Sequence, residues 1–395
     1  MSKIETLNVV SDRCKSPALL AGDWLLQSGI QDVGSDLAFR GGMNAWFDLK
    51  SQTYPFLYSE ITGYAVNIFL FLHCVTQIPA YLEGARLAGD WIIRARDAQY
   101  GLVGNRVYHR MDHQSYYNTW VFTFDHWIII YGLCNLYGAT GNRNYLTAAE
   151  EMTSFLLKKM FRDNGSIYPV FNLRTGQPEA SNDKWSRQSG SFHAKGILGL
   201  YQLYQCTGDS KYVSHAVELA RYAIREQESC GRFVTQASNQ STHLHPHLYT
   251  LEGILFLGIV QNDYELIQIC EKGLKWVLKL QQQDGKLSCF FRNNQPVPFE
   301  RADVLAQTLR LGTVLLQHSE SFGQFKPNLD HILDQLLSYQ IRAGAQKGGF
   351  LYGQEENGMI HYHVNAWVTM FATQALWLYG QLGGIEYPYR FDFFV

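Results

Sequence analysis

The chain has 395 residues, 46% of them hydrophobic and 17% charged, with a formal net charge of −2. That composition can bury a large core but supplies no basic face for a nucleic acid. No apolar run reaches the roughly 18–20 residues of a membrane span, because Thr62, Asn67 and His73 interrupt the stretch from Ile61 to Val75.

The N-terminus, MSKIETLNVVSDRCKS, lacks the charged-then-apolar pattern of a secretory signal. Seven scattered cysteines without a CxxC pair argue against a disulfide frame or a structural zinc. Cys74, Cys134 and Cys206 fall in apolar helical stretches and are expected to be small buried hydrophobes. A reducing, cytoplasmic setting is the simplest reading.

Along the chain two kinds of helix alternate. Amphipathic stretches begin at Ser16, Ala80, Asn144, Lys211, Tyr264 and Leu329, with apolar residues at i, i+3, i+4 and i+7 and charges opposite. Between them come SEITGYAVNIFLFL (from Ser59), FTFDHWIIIYGL (Phe122), QSGSFHAKGILGLYQLY (Gln188), HPHLYTLEGILFLG (His245), RADVLAQTLRLGTVLL (Arg301) and HVNAWVTMFATQALWLY (His363). These open on polar residues and are then apolar or small nearly all round, the mark of a helix buried on every side. Openings recur at intervals of about 55–65 residues, enough for two helices and two loops. The pattern predicts an all-α fold, an (α/α)6 barrel of six inner and six outer helices. With no linker or low-complexity tract, it predicts a single domain over residues 1–395. TGN at Thr140–Asn142 and TGD at Thr207–Asp209 supply Gly after an inner helix and an N-cap candidate before the next outer one. The runs QYGLVGNRVYHR, DNGSIYPVFN, CGRFVTQAS, DGKLSCFFRNN and KGGFLYGQ predict short β-hairpins at the end where the inner helices start.

In such a ring the polar openings converge on one mouth. They carry Glu60 and Tyr64, Asp125 and His126, His193 and Lys195, then His243, His245, His247, Tyr249 and Glu252, then Arg301 and Asp303, and last His361, His363 and Asn365. Each has a plain structural alternative: Asp125 or Asp303 can cap a helix, and Arg301 can pair with Asp303 or Glu300. Recurrence at all six openings nevertheless predicts one shared pocket. Trp46, Tyr54, Tyr58, Tyr116, Tyr117, Trp120, Trp185, Tyr352 and Tyr362 sit among loop Gly and polar residues, and aromatic faces in a polar cleft suit sugar rings. Arg301, Lys195 and the helix N-termini suit an anionic group on that sugar. His243, His245 and His247 alternate as zinc ligands could, but no HExxH or Cys partner accompanies them, so neither a metal nor a cofactor is expected. The expected partner is a sugar or oligosaccharide, with no nucleic acid and no membrane, and a homodimer is left open.

The strongest local motif is THLHPHLYTLEG, Thr242 to Gly253. Tyr249 and Glu252, at i and i+3, share a helix face, and a Tyr–Glu or His–Glu pair can act as a base with an orienting carboxylate. PHLYTLEG resembles the PHMHLLEA-type segment of the N-acylglucosamine 2-epimerase superfamily, with Pro246, His247, Leu251 and Glu252 matching by spacing. The resemblance implies an (α/α)6 barrel acting on free or linked sugars. The superfamily's acid/base histidine three residues before the Glu is replaced here by Tyr249. Its second one lies near the start of the last inner helix, where His361 or His363 stands without the HPGH-type pattern. More broadly, SEITGY, TGDSKYVSHAVELA and NAWVTMFATQALWLY resemble bacterial α/α-toroid proteins of polysaccharide metabolism and six-hairpin glycosidases.

The foremost functional expectation is a sugar epimerase or isomerase that abstracts and returns a proton, with His247, Tyr249, Glu252 and His363 as its working set. The alternative is a glycoside hydrolase or lyase, which needs two carboxylates across the mouth; Glu60, Asp125, Glu252 and Asp303 are available. The candidate catalytic residues are thus His247, Tyr249, Glu252, His363, Asp125 and Asp303. Candidates for substrate binding are Glu60, Tyr64, His126, Trp185, His193, Lys195, His245, Arg301 and Asn365. A non-catalytic glycan-binding or scaffold protein is the third class. Terpene cyclisation is disfavoured by the lack of a DxDD or DDxxD cluster.

Overall fold

A computed structural model describes residues 3–109, 116–182, 184–382 and 394–395, without the side chains of residues 3–11 and 116. Arg110, at the end of the first hairpin run, and the ring of Tyr116 therefore lie outside the described residues. Among these, outer helices α1 (Lys3–Gln27), α3 (Pro79–Arg94), α5 (Arg143–Lys159), α7 (Lys211–Arg225), α9 (Tyr264–Leu278) and α11 (Lys326–Ser338) alternate with six inner ones. The inner helices are α2 (Ser59–Thr76), α4 (Thr123–Thr140), α6 (Ile197–Thr207), α8 (Leu244–Gln261), α10 (Ala302–His318) and α12 (Ala366–Tyr379). Each inner helix packs on the next, and α12 closes the circle on α2. The outer helices pack outside them, α1 against α12 and each of the others against the inner helix before it. This is the (α/α)6 barrel that the repeat predicts.

Burial follows the same division. Every residue of α4 from Thr123 to Leu136 is buried, whereas α7 buries one stripe, Tyr212, Ala216, Leu219, Ala220 and Ala223. Small residues let the inner backbones approach: a Cβ on Gly253 of α8 would stand 2.0 Å from the carbonyl oxygen of Ala194. The caps are where TGN and TGD place them. Gly141 and Gly208 take left-handed conformations (φ 71° and 75°), while Asn142 and Asp209 accept from the backbone N–H groups of Asn144 and Lys211.

Short strands line the other end of the ring. Each outer helix runs into a single bridge to its following loop: Gln31–Met43, Arg96–Val103, Phe161–Ile167, Gln227–Phe233, Gln281–Leu287 and Gln340–Phe350. Strand β2 (Phe56–Tyr58) pairs antiparallel with β3 (Arg106–Tyr108), setting Tyr58 opposite Arg106. Strands β4 (Trp120–Phe122), β5 (Val170–Asn172) and β6 (Gln177–Pro178) form a second sheet, and β7 (Thr242–His243), β8 (Phe290–Arg292) and β9 (Gln295–Val297) a third. In the fourth, β11 (His363–Asn365) lies between β1 (Trp46–Asp48) and β10 (Phe350–Leu351), tying the last unit to the first.

Three details differ from the sequence expectation. The third inner segment opens as a 3-10 turn, Ser191–Gly196, before α6 begins at Ile197; Gly190 and Gly196 weaken its α preference, and Gly196 lies against the Trp127 ring. Helix α1 starts well before Ser16 and runs through Pro17; proline forgoes one donor there, and its carbonyl accepts from Gln340 Nε2 at 2.9 Å. Cys134 is buried and Cys206 half-buried, but Cys74 is exposed, because the last turn of α2 leaves the core. No described helix is long and apolar enough to cross a membrane.

Candidate active site

Helical phase decides which polar opening residues face the axis. The fourth residues of α2, α4, α8 and α12 are Thr62, His126, His247 and Thr369. All four turn outward and accept a backbone N–H from the adjoining loop: Met43 to Thr62 (3.0 Å), Val103 to His126 Nε2 (3.1 Å), Phe233 to His247 Nδ1 (3.2 Å) and Phe350 to Thr369 (3.0 Å). These donors are the same loop residues that bridge to the outer helices. In the fifth unit Glu300 serves Leu287 in the same way, at 2.9 Å. Buried N–H groups need an acceptor, so part of the recurrent polarity is a latch. Burial pushes His126 down to about 4 and His247 to about 3, keeping both neutral as acceptors must be.

Two positions earlier, about 200° round the helix, the side chains point inward. Glu60, Phe124, His245 and Trp367, each second in its helix, line a cavity of about 270 Å³ at the inner-helix starts. Asp125, Trp185, Tyr249 and Arg301 join them, with Trp46, Tyr58, Tyr117 and Tyr352 from the loops. The pocket thus gathers six of the expected site residues: Glu60, Asp125, Trp185, His245, Tyr249 and Arg301. It also contains Phe56, Asn105, Arg106 and Lys184, which the sequence reading passed over. The signal for Asn105 and Arg106 was present in GNRVYHR, a strand-like run placed at the mouth.

Among the described residues two carboxylates, Glu60 and Asp125, face this cavity. Burial raises Glu60 to about 7 against the pull of the Tyr58 hydroxyl, Lys195 and the Tyr249 hydroxyl. Asp125 is pushed well above the carboxylate range by burial and then by the Glu60 charge, while Asn105, Arg106 and Lys184 oppose. Asn105 Nδ2 donates to Asp125 Oδ2 at 2.7 Å. Burial and neighbouring acids hold the Tyr249 phenol far above its usual value, so it stays protonated and serves as a donor.

The remaining expected residues lie elsewhere. Beneath the cavity, Glu252 is enclosed by Lys195 and Arg310, all three fully buried. Burial pushes the Glu252 carboxyl up, but Arg310 and Lys195 outweigh it and hold it below its usual value. Burial brings Lys195 down to about 8. Tyr64 lies in the same core, edge-on to Phe371. Asp303 receives both arms of Arg301 and the Trp367 indole N–H (3.3 Å), while His245 Nδ1 meets Gln307 Oε1 at 2.7 Å. Arg301 also donates to His243 Nε2 at 2.6 Å. His193 meets the Gln188 carbonyl at 3.3 Å, and Asn365 caps α12 by accepting from Val368 N at 3.1 Å. His363 stacks on Trp46 (4.5 Å between centroids, 13° between planes), 3.6 Å from Asp48. Five of the six openings thus contribute to one cavity, while the third reaches it only through Trp185 and Ser186 of the preceding loop; Tyr64, His126, His193, Lys195, His247, Glu252, Asp303, His363 and Asn365 do not line it. Among the described residues no cluster of three or more His, Cys, Asp or Glu side chains could hold a metal ion.

Residues 34–184 match the model of glycosyl hydrolase family 76, a span that includes Glu60, Asn105, Arg106 and Asp125. No curated protein matches the chain. Among solved structures, a sugar epimerase from a ruminal bacterium is 12% identical at a TM-score of 0.76, over 97% of this chain and all (100%) of that one. Cellobiose 2-epimerase from Bacillus thermoamylovorans is 14% identical at 0.75, over 94% and 99%. An unsaturated glucuronyl hydrolase specific for heparin is 13% identical at 0.71, over 95% and 98%. At these identities the likeness to solved structures is one of fold. In architecture and in its partial family match, the chain resembles the (α/α)6-barrel sugar enzymes, including six-hairpin glycosidase-like proteins.

Proposed function

We propose that this chain is a glycoside hydrolase whose acid/base pair is Glu60 and Asp125. The observation that carries this reading is two buried carboxylates, from the first turns of neighbouring inner helices, facing one aromatic-lined cavity and both displaced upward. Two such groups cannot both ionise freely, so the pair retains a proton near neutral pH and titrates as a unit. One carboxyl protonates the departing glycosidic oxygen; the other, ionised, attacks the anomeric carbon or activates the water whose hydroxyl ends there. The Asn105 amide and the Tyr58 and Tyr249 hydroxyls orient the pair. The partial match to a glycosyl hydrolase family, over the span holding both carboxylates, supports this reading.

Epimerisation has less geometric support. His247 is engaged by Phe233, Glu252 is enclosed by two cations, and the Tyr249 phenol stays protonated. The test is reducing-end release from a panel of oligosaccharides. Wild-type protein should cleave at least one, and Glu60→Gln or Asp125→Asn should each lower that rate by about 10²-fold or more with the fold retained. Cleavage that survives either substitution, or none from the wild type across the panel, would remove the proposal.

A further inference from the structure

Among the described residues three cationic side chains reach the cavity, and they are not equivalent. Arg301 is held by both oxygens of Asp303 and donates to His243, so its charge is matched within the protein. Lys184 lies at the rim, its Nζ 3.4 Å from the Tyr117 hydroxyl. Arg106 is different. Its guanidinium is sandwiched between the rings of Phe56 and Tyr117, 4.3 and 3.9 Å from their centroids. Its Nη1 reaches the Tyr108 hydroxyl at 3.4 Å, but its Nε is buried with no hydrogen-bond partner among the described residues.

Aromatic faces stabilise a cation, yet they satisfy none of its N–H groups, and a buried N–H without an acceptor is destabilising. Immediately before it in sequence, Asn105 is 2% exposed and has the complementary defect: its Nδ2 serves Asp125, while its Oδ1 is buried with no hydrogen-bond partner among the described residues. Among the described residues an unmet guanidinium N–H and an unmet amide oxygen thus belong to adjacent residues in the wall of the cavity, which Asp125 also lines.

We infer that Arg106 and Asn105 form a subsite for an acidic sugar, with Arg106 taking the carboxylate of a uronic acid and Asn105 Oδ1 accepting from a hydroxyl of the same ring. The inference rests on the reading of the cavity as a sugar site and adds the substrate's chemical class. Guanidinium Nε and one Nη form an edge that matches a carboxylate bidentately. Phe56 and Tyr117 fix the plane of that edge, so little conformational entropy is lost on binding.

Titration calorimetry with methyl glycosides of glucuronic, galacturonic and mannuronic acid, each beside its neutral hexose counterpart, tests this without requiring turnover. The wild type should bind at least one uronide about tenfold or more tightly than its neutral partner. Arg106→Met should abolish that preference, bringing uronide affinity down to that of the neutral partner. Arg106→Lys, which keeps the charge but loses the fork, should retain only part of it. Arg106→Gln serves as the control should the methionine variant fail to fold. Equal affinity for acidic and neutral sugars, or a preference that survives all three variants, overturns the subsite and leaves the hydrolase reading standing. Binding of neither class overturns the sugar site and the subsite together.

Discussion

At the scale of single residues, Glu60 carries the most consequence, because the environment that suits it to proton transfer also burdens the fold. Its carboxyl rises from 4.5 to about 7 through burial. Between those values the folded protein holds a proton that the unfolded chain has released, so stability falls as pH rises through that window and stays low above it. At about 1.36 kcal/mol per pH unit, the burden is on the order of 3 kcal/mol above pH 7. Glu60→Gln should therefore raise the melting temperature at pH 8 and leave it nearly unchanged at pH 4, while lowering turnover by about 10²-fold or more. Equal melting temperatures for variant and wild type at pH 8 would contradict the assigned environment. Wild-type activity, in turn, should show a pH limb near 7 belonging to the Glu60–Asp125 pair.

His247 makes the opposite case. In the sequence it stands in PHLYTLEG with the spacing of a catalytic segment; in the structure it accepts the Phe233 N–H and packs edge-on against Trp276. Thr62, His126 and Thr369 do the same in their own units. Replacing Thr369 by Val should cost about 1–3 kcal/mol, the penalty of one unsatisfied buried N–H, measured by denaturant unfolding. His247→Ala should also lower stability, and whatever activity remains should keep the wild-type pH profile. A changed profile would return His247 to the chemistry.

At the scale of elements, alternating solvated and fully buried helices were legible in the sequence, and so was the end of the ring that holds the cavity. Polarity at the starts of the inner helices could not be divided by sequence into axis-facing and latching residues. The second and fourth positions differ only by a rotation about the helix, which depends on where each helix begins. Arg106 was missed for another reason: its role arises from the β2–β3 register that places it beside Tyr58, between Phe56 and Tyr117. Glu252 looked catalytic until Arg310, 58 residues later in the chain, proved to be its partner. Close approach of elements gives its own test. Gly253→Ala on α8 would drive a Cβ to 2.0 Å from the Ala194 carbonyl oxygen, and thermal melting should show a large loss. A variant melting within a degree or two of wild type would mean that the α8 contact is looser than described.

At the scale of the whole molecule, the ring has a floor as well as a mouth. Phe394 and Val395 are buried on its axis: Phe394 N donates to the Tyr131 hydroxyl, Val395 N to Gln374 Oε1, and Lys195 Nζ to the Val395 carbonyl, each at 3.1 Å. Arg310 lies over the Phe394 ring, 4.4 Å from its centroid. These contacts join α4, α10, α12 and the third unit through two residues. A chain ending before Phe394 should melt several degrees lower, and an unchanged melting curve would show that the ring does not depend on them.

The central claim, that the mouth of this ring cleaves glycosidic bonds with Glu60 and Asp125, is tested most directly by proton NMR of wild-type protein with an oligosaccharide substrate in D₂O. Cleavage should give new anomeric signals from released reducing ends, with no deuterium entering any carbon-bound position, because neither bond making nor bond breaking labilises a C–H. Deuterium appearing on a sugar carbon without release of reducing ends would contradict the account and establish proton abstraction in its place.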